Sequence, residues 1–316
     1  MRKLLLALVA CLGIVNSAEA QDYPTRPVHL VVGYPAGLTP DIVARLIAQS
    51  LSERLGQQVI IDNRPGAGSN IGTEAVVRAP ADGYTLLVLT FANAVNATLY
   101  NGLNFDLQRD IAPVVGTFRS PAVMVVAPSF PAKTVPEFIA YAKANPGKVN
   151  YASAGYGTVN NVAGEMFNAM AGVELVHVPY RGSYMPDLLG GQVQVTFAPI
   201  ATVIEYIKAG KLRALAVTGA TRSDALLGVP TMGEFLPGYE ANLWHGIGAP
   251  RDTPREIVDK LNKVINDVLA DPKINERFAV LGGTVLGGSP GDFGGLIADE
   301  IKKWAKVIRL ANIKPQ

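Results

Sequence analysis

Cysteine is almost absent from this chain of 316 residues: Cys11 is the only one, and it falls in the opening stretch. Beyond residue 20 there is thus no disulfide, no thiol chemistry and no thiolate metal ligand. Histidine is nearly as scarce. His29, His177 and His245 are scattered, with none paired at i,i+4, so no metal site is expected. Charged residues are 17% of the chain, the net charge is +2, and no basic or acidic block occurs, which argues against nucleic acid as a partner. No later apolar run approaches the roughly 18–20 residues of a membrane-spanning helix.

What is there begins with MRKLLLALVACLGIVNSAEAQ. Arg2 and Lys3 form a basic start, Leu4 to Val15 an apolar core too short to cross a bilayer, and Ala18-Glu19-Ala20 an A-x-A cleavage site. Leu8 to Cys11 also fits a lipoprotein box, but cutting there would leave only about seven apolar residues. The expectation is a signal peptide over residues 1–20, cleaved after Ala20 to release a soluble periplasmic protein. The remaining length suggests about two domains, and 49% hydrophobic residues can build a substantial core.

Strand-like and helix-like runs alternate through that part. Val28–Val32 reads as a strand and Pro40–Leu55 as a helix, with Ile42, Leu46, Ile47, Leu51 and Leu55 at helical spacing and Gly56 closing it. Further strands are expected at 59–61, 85–90, 122–127, 149–152, 175–178, 193–198 and 212–217. Helices are expected at 69–78, 135–144, 160–171 and 202–209. Two amphipathic helices end the chain. One follows a capping box, Thr253 to Glu256, with Pro254 at N1; the other runs from Pro290 to about Ala311 behind Ser289. The alternation implies an α/β fold with mostly parallel sheets. Pro113–Pro121, which has no clear pattern, and Tyr239–Pro250 are the candidate crossings between domains.

Three enzyme readings fail. Gly66, Gly68 and Gly72 space as GxGxxxG after a strand, but the next strand, Thr85–Thr90, runs into Phe91, Ala92 and Asn93 instead of the acidic residue a dinucleotide site requires. Gly287-Gly288-Ser289-Pro290-Gly291 matches a nucleophile elbow, yet all three histidines precede Ser289, and the triad order puts histidine after the serine. The third is a metal site, which has no ligand spacing. No cofactor is expected, and the chain does not read as an enzyme.

Two strand-to-helix turns offer a different chemistry. VVGYPAGLTPD places Thr39 at an N-cap, with Pro40 at N1 and Asp41 beside it. NYASAGYGTVNN does the same with Gly155 and Gly157 before Thr158, Asn160 and Asn161. Unsatisfied N–H groups and the positive helix end make such turns anion sites. Ordinary α/β turns share these features, so one loop alone is weak evidence. Two on opposite halves point to a small anion held without a basic cluster.

The segments YPTRPVHLVVGYPAGLTPDIVAR, NRPGAGSNIGTEAVVRAPADGYTLL, YASAGYGTVNNVAGEMF, HVPYRGS, DLLGGQV, IKAGKLRALAVTGATRS, WHGIGAPRDTP and EIKKWAKVIRLANIK, in this order, resemble the Bug family over nearly the whole exported part. These are the solute-binding receptors of tripartite tricarboxylate transporters. The resemblance implies a two-domain periplasmic binding protein of the Venus-flytrap, type II-like kind. Domain 1 would comprise residues 21–120 plus 246–316, domain 2 residues 121–245, with a cleft between them. It implies capture of a small carboxylate, delivery to a membrane permease, and no catalysis. A monomer is expected.

Carried over residue by residue, the first wall is Tyr34, Ala36, Gly37, Thr39, Pro40 and Asp41, with Phe91 and Asn93. The second is Ser153, Gly155, Tyr156, Gly157, Thr158, Arg181, Ser183 and Phe197. Asn70 is a marginal contact. The chain departs from the family pattern at Ala36-Gly37-Leu38, at Asn161 where histidine is common, in a shorter turn from Ser183 to Pro186, and at Ala198 where an acidic residue is frequent. Tyr34, Phe91, Tyr156, Tyr184, Met185 and Phe197 suggest an aromatic or bulky carboxylate over a short amino acid. A periplasmic enzyme or sensory module using the same cleft is the alternative.

Overall fold

A computed structural model describes residues 23–180, 182–311 and 313. The signal segment, with Cys11 and the Ala20 cleavage point, lies outside the described residues. The first half is built from successive βα units: β1 (Val28–Val32) leads into α1 (Thr39–Leu55), β2 (Val59–Asn63) into α2 (Asn70–Val77), and β3 (Thr85–Thr90) directly into α3 (Phe91–Leu99). β1 lies between β2 and β3, parallel to both. Its side chains alternate: Val28, Leu30 and Val32 join Val43, Ile47 and Leu51 of α1 in one apolar layer, and Val31 joins the layer behind.

After α4 (Leu107–Asp110), β4 (Ile111–Val126) runs for 16 residues, about 50 Å at ~3.3 Å per residue. Beyond it come α5 (Val135–Ala144), β5 (Val149–Ser153), α6 (Val159–Ala171), β6 (Leu175–Pro179), α7 (Met185–Leu189), β7 (Val195–Pro199), α8 (Ile200–Lys208) and β8 (Arg213–Val217). The chain returns along β9 (Asn242–Pro250) and ends with α9 (Arg255–Leu269), α10 (Pro272–Val280), β10 (Thr284–Gly287) and α11 (Pro290–Leu310).

β4 belongs to both halves. Up to Pro121 it pairs antiparallel with β9 and β10; from Ala122 it pairs antiparallel with β7 and β8. The resulting sheet runs β2-β1-β3-β9-β4-β7-β5-β6, with β8 and β10 also on β4. Parallel pairs form its two ends and antiparallel pairs its centre. The stretch 113–121 is therefore strand. Proline is compatible with a strand where the ladder is interrupted: the register slips between Pro113 and Val115, and Pro121 is the last residue paired with β9. Asn242 to His245, read from sequence as the end of the second domain, pair with β4, and His245 also with Thr90 of β3.

The two closing helices start differently. Thr253 turns its hydroxyl to Pro250 O at 2.8 Å and Pro254 is the N-cap of α9, so the expected capping box does not form. At α11 the box does form: Ser289 Oγ accepts from Asp292 N at 3.1 Å, and Asp292 Oδ2 accepts from Ser289 N at 2.8 Å.

α11 packs against α3 of the first half and α6 of the second. Its Glu300 is only 8% exposed and accepts from Trp304 Nε1 at 2.8 Å and from Trp244 Nε1 of β9 at 3.2 Å, with Lys303 beside it. Glu300→Ala would leave two buried indole donors without an acceptor, each costing about 1–3 kcal/mol. Urea denaturation of this variant should show a loss on the order of 2–5 kcal/mol. A loss below ~0.5 kcal/mol would show that the helix is not tied to β9 in this way.

Candidate functional site

The turns after β1, β2 and β5 and the junction of β3 with α3 converge on one seam between the halves. Two glycines set how closely they approach. A Cβ on Gly33 would lie 1.9 Å from Ser69 Oγ, and one on Gly157, at φ +74°, would lie 2.7 Å from Leu99 Cδ2 of α3. Gly157 is thus one point where the second half touches the first.

In the first turn, Leu38 and not Thr39 is the N-cap of α1. Thr39 is the first helical residue, Pro40 the second, and no side chain caps the end. Asp41 is buried and saturated. Its Oδ2 accepts from Gly37 N at 2.8 Å and Arg45 Nε at 2.9 Å, and its Oδ1 from Asn63 Nδ2 at 2.9 Å. Asn63 Nδ2 also reaches Tyr34 O at 3.0 Å. Burial alone would raise the Asp41 carboxyl, but these three donors outweigh it and hold the group below its ordinary value. Asp41 shapes the turn; its acceptors are not free for a ligand. Ala36 and Gly37 are exposed at the tip, and Tyr34 lies half-buried with its hydroxyl 3.2 Å from Thr90 Oγ1.

The turn after β2 is strained. Ala67 and Ser69 both hold left-handed backbones, φ +46° and +82°, at a cost of about 1–2 kcal/mol each. Ser69 Oγ and Asn70 Nδ2 are buried without a hydrogen-bond partner among the described residues. Asn96 of α3 holds the turn: its Nδ2 donates to Gly68 O at 2.7 Å and to Asn70 Oδ1 at 3.0 Å. Asn93 is spent in the same manner, its Oδ1 accepting from Thr90 N at 2.8 Å and its Nδ2 donating to Thr73 Oγ1 at 2.8 Å.

Across the seam, Thr158 is the N-cap of α6, but its hydroxyl donates back to Gly155 O at 2.7 Å, so this helix also starts without a side-chain cap. A polar network supports the turn from beneath. Fully buried Ser153 bonds through Oγ to His177 Nε2 at 2.6 Å and accepts from Gly155 N at 3.0 Å. Asn161 Oδ1 accepts from Gly157 N at 3.1 Å, its Nδ2 donates to Tyr151 OH at 3.0 Å, and Tyr151 OH donates to Glu165 Oε1 at 2.6 Å. His177 stacks on Tyr151 and meets the exposed Tyr156 edge-on, each 4.9 Å away. Burial holds the His177 imidazole down to about 4 and pushes the Glu165 carboxyl up.

Two residues that the sequence reading puts on the cleft are core residues. Phe91 meets Trp304 edge-on at 5.0 Å, and Phe197, with no exposed surface, packs on Phe167 at 5.5 Å. Met185 is buried as well. Ser183 is exposed, and its neighbour Tyr184 accepts from Asn160 Nδ2 at 3.2 Å, which ties that turn to the start of α6. Arg181 lies outside the described residues. The roles of Ser69, Asn96 and His177 escape the sequence reading. The one sequence signal for Asn96 is its i,i+3 spacing from Asn93.

A backbone-lined seam with two uncapped helix starts can hold an anion by N–H groups. The family model for the tripartite tricarboxylate transporter family receptor matches residues 43–313. The chain belongs to this family. Members are periplasmic solute-binding receptors, not enzymes, and the fold is that of a two-domain periplasmic binding protein. Protein BugT of Bordetella pertussis is 36% identical over 97% of this chain and 95% of its own. A Rhodopseudomonas palustris protein solved with adipate is 38% identical, with TM-score 0.82 over 93% of this chain and 100% of the other. The periplasmic binding protein BugD gives 35% and 0.79 over 93% and 100%. MatC from the same Rhodopseudomonas species, solved with bound malate, gives 30% and 0.78 over 90% and 100%.

The buried imidazoles make stability depend on pH in this receptor. Between pH 6.5 and about 4 the unfolded chain carries a proton on His177 that the folded chain lacks, so stability falls as pH falls through that window. His245, held down to about 3 by burial, adds a second slope of the same sign. Each slope amounts to at most about 1.4 kcal/mol per pH unit. Urea midpoints of His177→Gln between pH 4.5 and 6 should show a slope reduced by one proton. An unchanged slope would mean that His177 charges freely in the folded state.

Proposed function

We propose that the protein is an extracytoplasmic receptor that captures a small carboxylate at the seam and delivers it to the membrane permease of a tripartite tricarboxylate-type transporter. It acts as a monomer after export and cleavage behind Ala20. The observation that carries this reading is the pair of helices, α1 and α6, that start on opposite sides of the seam without side-chain caps. Adipate and malate, bound by the two related proteins, are both small dicarboxylates. Charge-assisted bonds contribute roughly 1.5–3 kcal/mol each. Three or four of them reach the ~8 kcal/mol of micromolar binding without any arginine.

The halves divide where β4 changes partners, at 121/122, and again just before β9, and closing is a hinge motion about these two strands. The ligand contacts are the turn tips: Ala36, Gly37 and Thr39 on one side, Gly155, Tyr156, Thr158 and Ser183 on the other. With Phe91, Met185 and Phe197 in the core, the apolar surface left for a ligand is that of Tyr34, Tyr156 and Tyr184. This supports a small carboxylate and gives less weight to a bulky aromatic one.

Leu38→Asp tests the reading. An added carboxylate at position 38 stands beside the buried Asp41 carboxylate and has no N–H on Pro40 to cap, so it should not stabilise the unliganded protein, while it occupies and repels the anion position. Calorimetric titration with adipate, malate and benzoate should show at least one ligand bound by the natural protein and at least a tenfold loss in the variant. Undiminished binding in Leu38→Asp would remove the helix end from the site. No binding of the three by the natural protein would count against the carboxylate reading itself.

A further inference from the structure

We propose that His177 of β6 is a positioning residue of the seam: neutral, with its proton on Nε2, it holds the Gly155–Thr158 turn in the form that receives the ligand. This role rests on the receptor reading above, and His177 performs it through Ser153 and Asn161.

The direction of every bond in the network follows from one end of it. Gly157 N only donates, so the Asn161 atom that accepts from it at 3.1 Å is the side-chain oxygen, which fixes the orientation of the amide. Asn161 Nδ2 accepts nothing and donates to Tyr151 OH at 3.0 Å and to His177 Nδ1 at 3.5 Å. An Nδ1 that receives a hydrogen carries none, and a neutral imidazole with a bare Nδ1 has its proton on Nε2. Nε2–H therefore donates to Ser153 Oγ at 2.6 Å. The Ser153 hydroxyl hydrogen is left for Gly155 O at 3.2 Å, while its oxygen accepts from Gly155 N at 3.0 Å.

His177 thus stands between two arms, one ending on Gly155 and the other on Gly157. Both glycines hold positive φ, +115° and +74°, and have no side chain to restrict them, so the arms give the turn its shape. Between them Tyr156, 52% exposed, meets the imidazole edge-on. The groups that face the ring are Tyr151 and Ser153 from β5, Tyr156 from the turn and Asn161 from α6. Glu165 of α6 lies one bond further off, behind the Tyr151 hydroxyl. A second proton on the ring, at Nδ1, would oppose the Asn161 amino group, donor against donor. Asn161 would have to turn away, and Gly157 N would lose its acceptor. Burial keeps the ring neutral down to about 4.

The test begins with ¹H–¹⁵N spectra of the unliganded protein. At pH 7 His177 should show a protonated Nε2 and a bare Nδ1. From pH 6 down to about 3.5 the Gly155 and Gly157 amide resonances should move together with the His177 ring. In His177→Gln, which keeps a donor for Ser153 and takes up no proton, that movement should be lost, which separates it from any titration of Glu165. In His177→Phe, which keeps the ring on Tyr151 but neither bond, both amides should be displaced already at pH 7, with folding checked by thermal melting. Adipate and malate should bind His177→Phe about fivefold more weakly than His177→Gln, the worth of one hydrogen bond. A proton on Nδ1 at pH 7, glycine amides that ignore the ring, or equal affinities in the two variants would overturn the proposal. If the natural protein binds neither acid, the carboxylate reading loses its support, and the spectra of the unliganded turn alone decide the role of His177.

Discussion

The rest of the structure is arranged around one strand that pairs in both halves of the sheet. β4 spends its first part bonded to β9 and β10 and its last part bonded to β7 and β8. A strand cannot be broken cheaply in its middle, because each lost ladder bond leaves buried backbone groups unpaired. The two halves are therefore tied by continuous hydrogen-bonded backbone and not by a loose linker. Relative motion is restricted to twist and bend where the pairing changes hands. α11 adds a second tie, since its apolar face is shared by α3 and α6.

With the halves tied in this way, the turns at the ends of β1, β2 and β5 and the junction of β3 with α3 are brought face to face, and their polar side chains are largely consumed in holding them. Asp41, Asn93, Asn96, Ser153 and Asn161 each bond to a backbone or side-chain group of the scaffold. On the proposed reading, the polar groups left for a ligand are mostly main chain. Recognition by main-chain N–H groups selects for charge and shape more than for side-chain detail. This suits a family whose members are solved with different small carboxylates.

Much of the framework is legible in the sequence. The β-α alternation, the glycine closing α1 and the Ser289 cap of α11 follow from local chemistry that tertiary contacts do not override. β4 is hidden because Pro113 and Pro121 interrupt its pattern, and only the register slip and the change of sheets make them tolerable. α3 is hidden because Phe91 to Leu99 follows β3 with no intervening turn signal and carries Asn93 and Asn96, weak helix formers. The site was half legible. Glycine spacing locates the turns, but whether Thr39 caps, whether Asp41 is free and whether Phe197 faces outward depend on partners distant in sequence, such as Asn63 and Phe167.

The contact between Gly157 and Leu99 links two positions in the sequence as well as two halves in space. A Cβ at 157 would press on the Leu99 Cδ2 methyl at 2.7 Å, which a turn of the leucine side chain relieves, whereas the left-handed backbone there, φ +74°, disfavours any side chain whatever stands at 99. Ala36 and Ser183, exposed at their turn tips, carry no such constraint. Residues at the tips are thus free to vary, while position 157, where the two halves meet, is held to glycine by its own backbone.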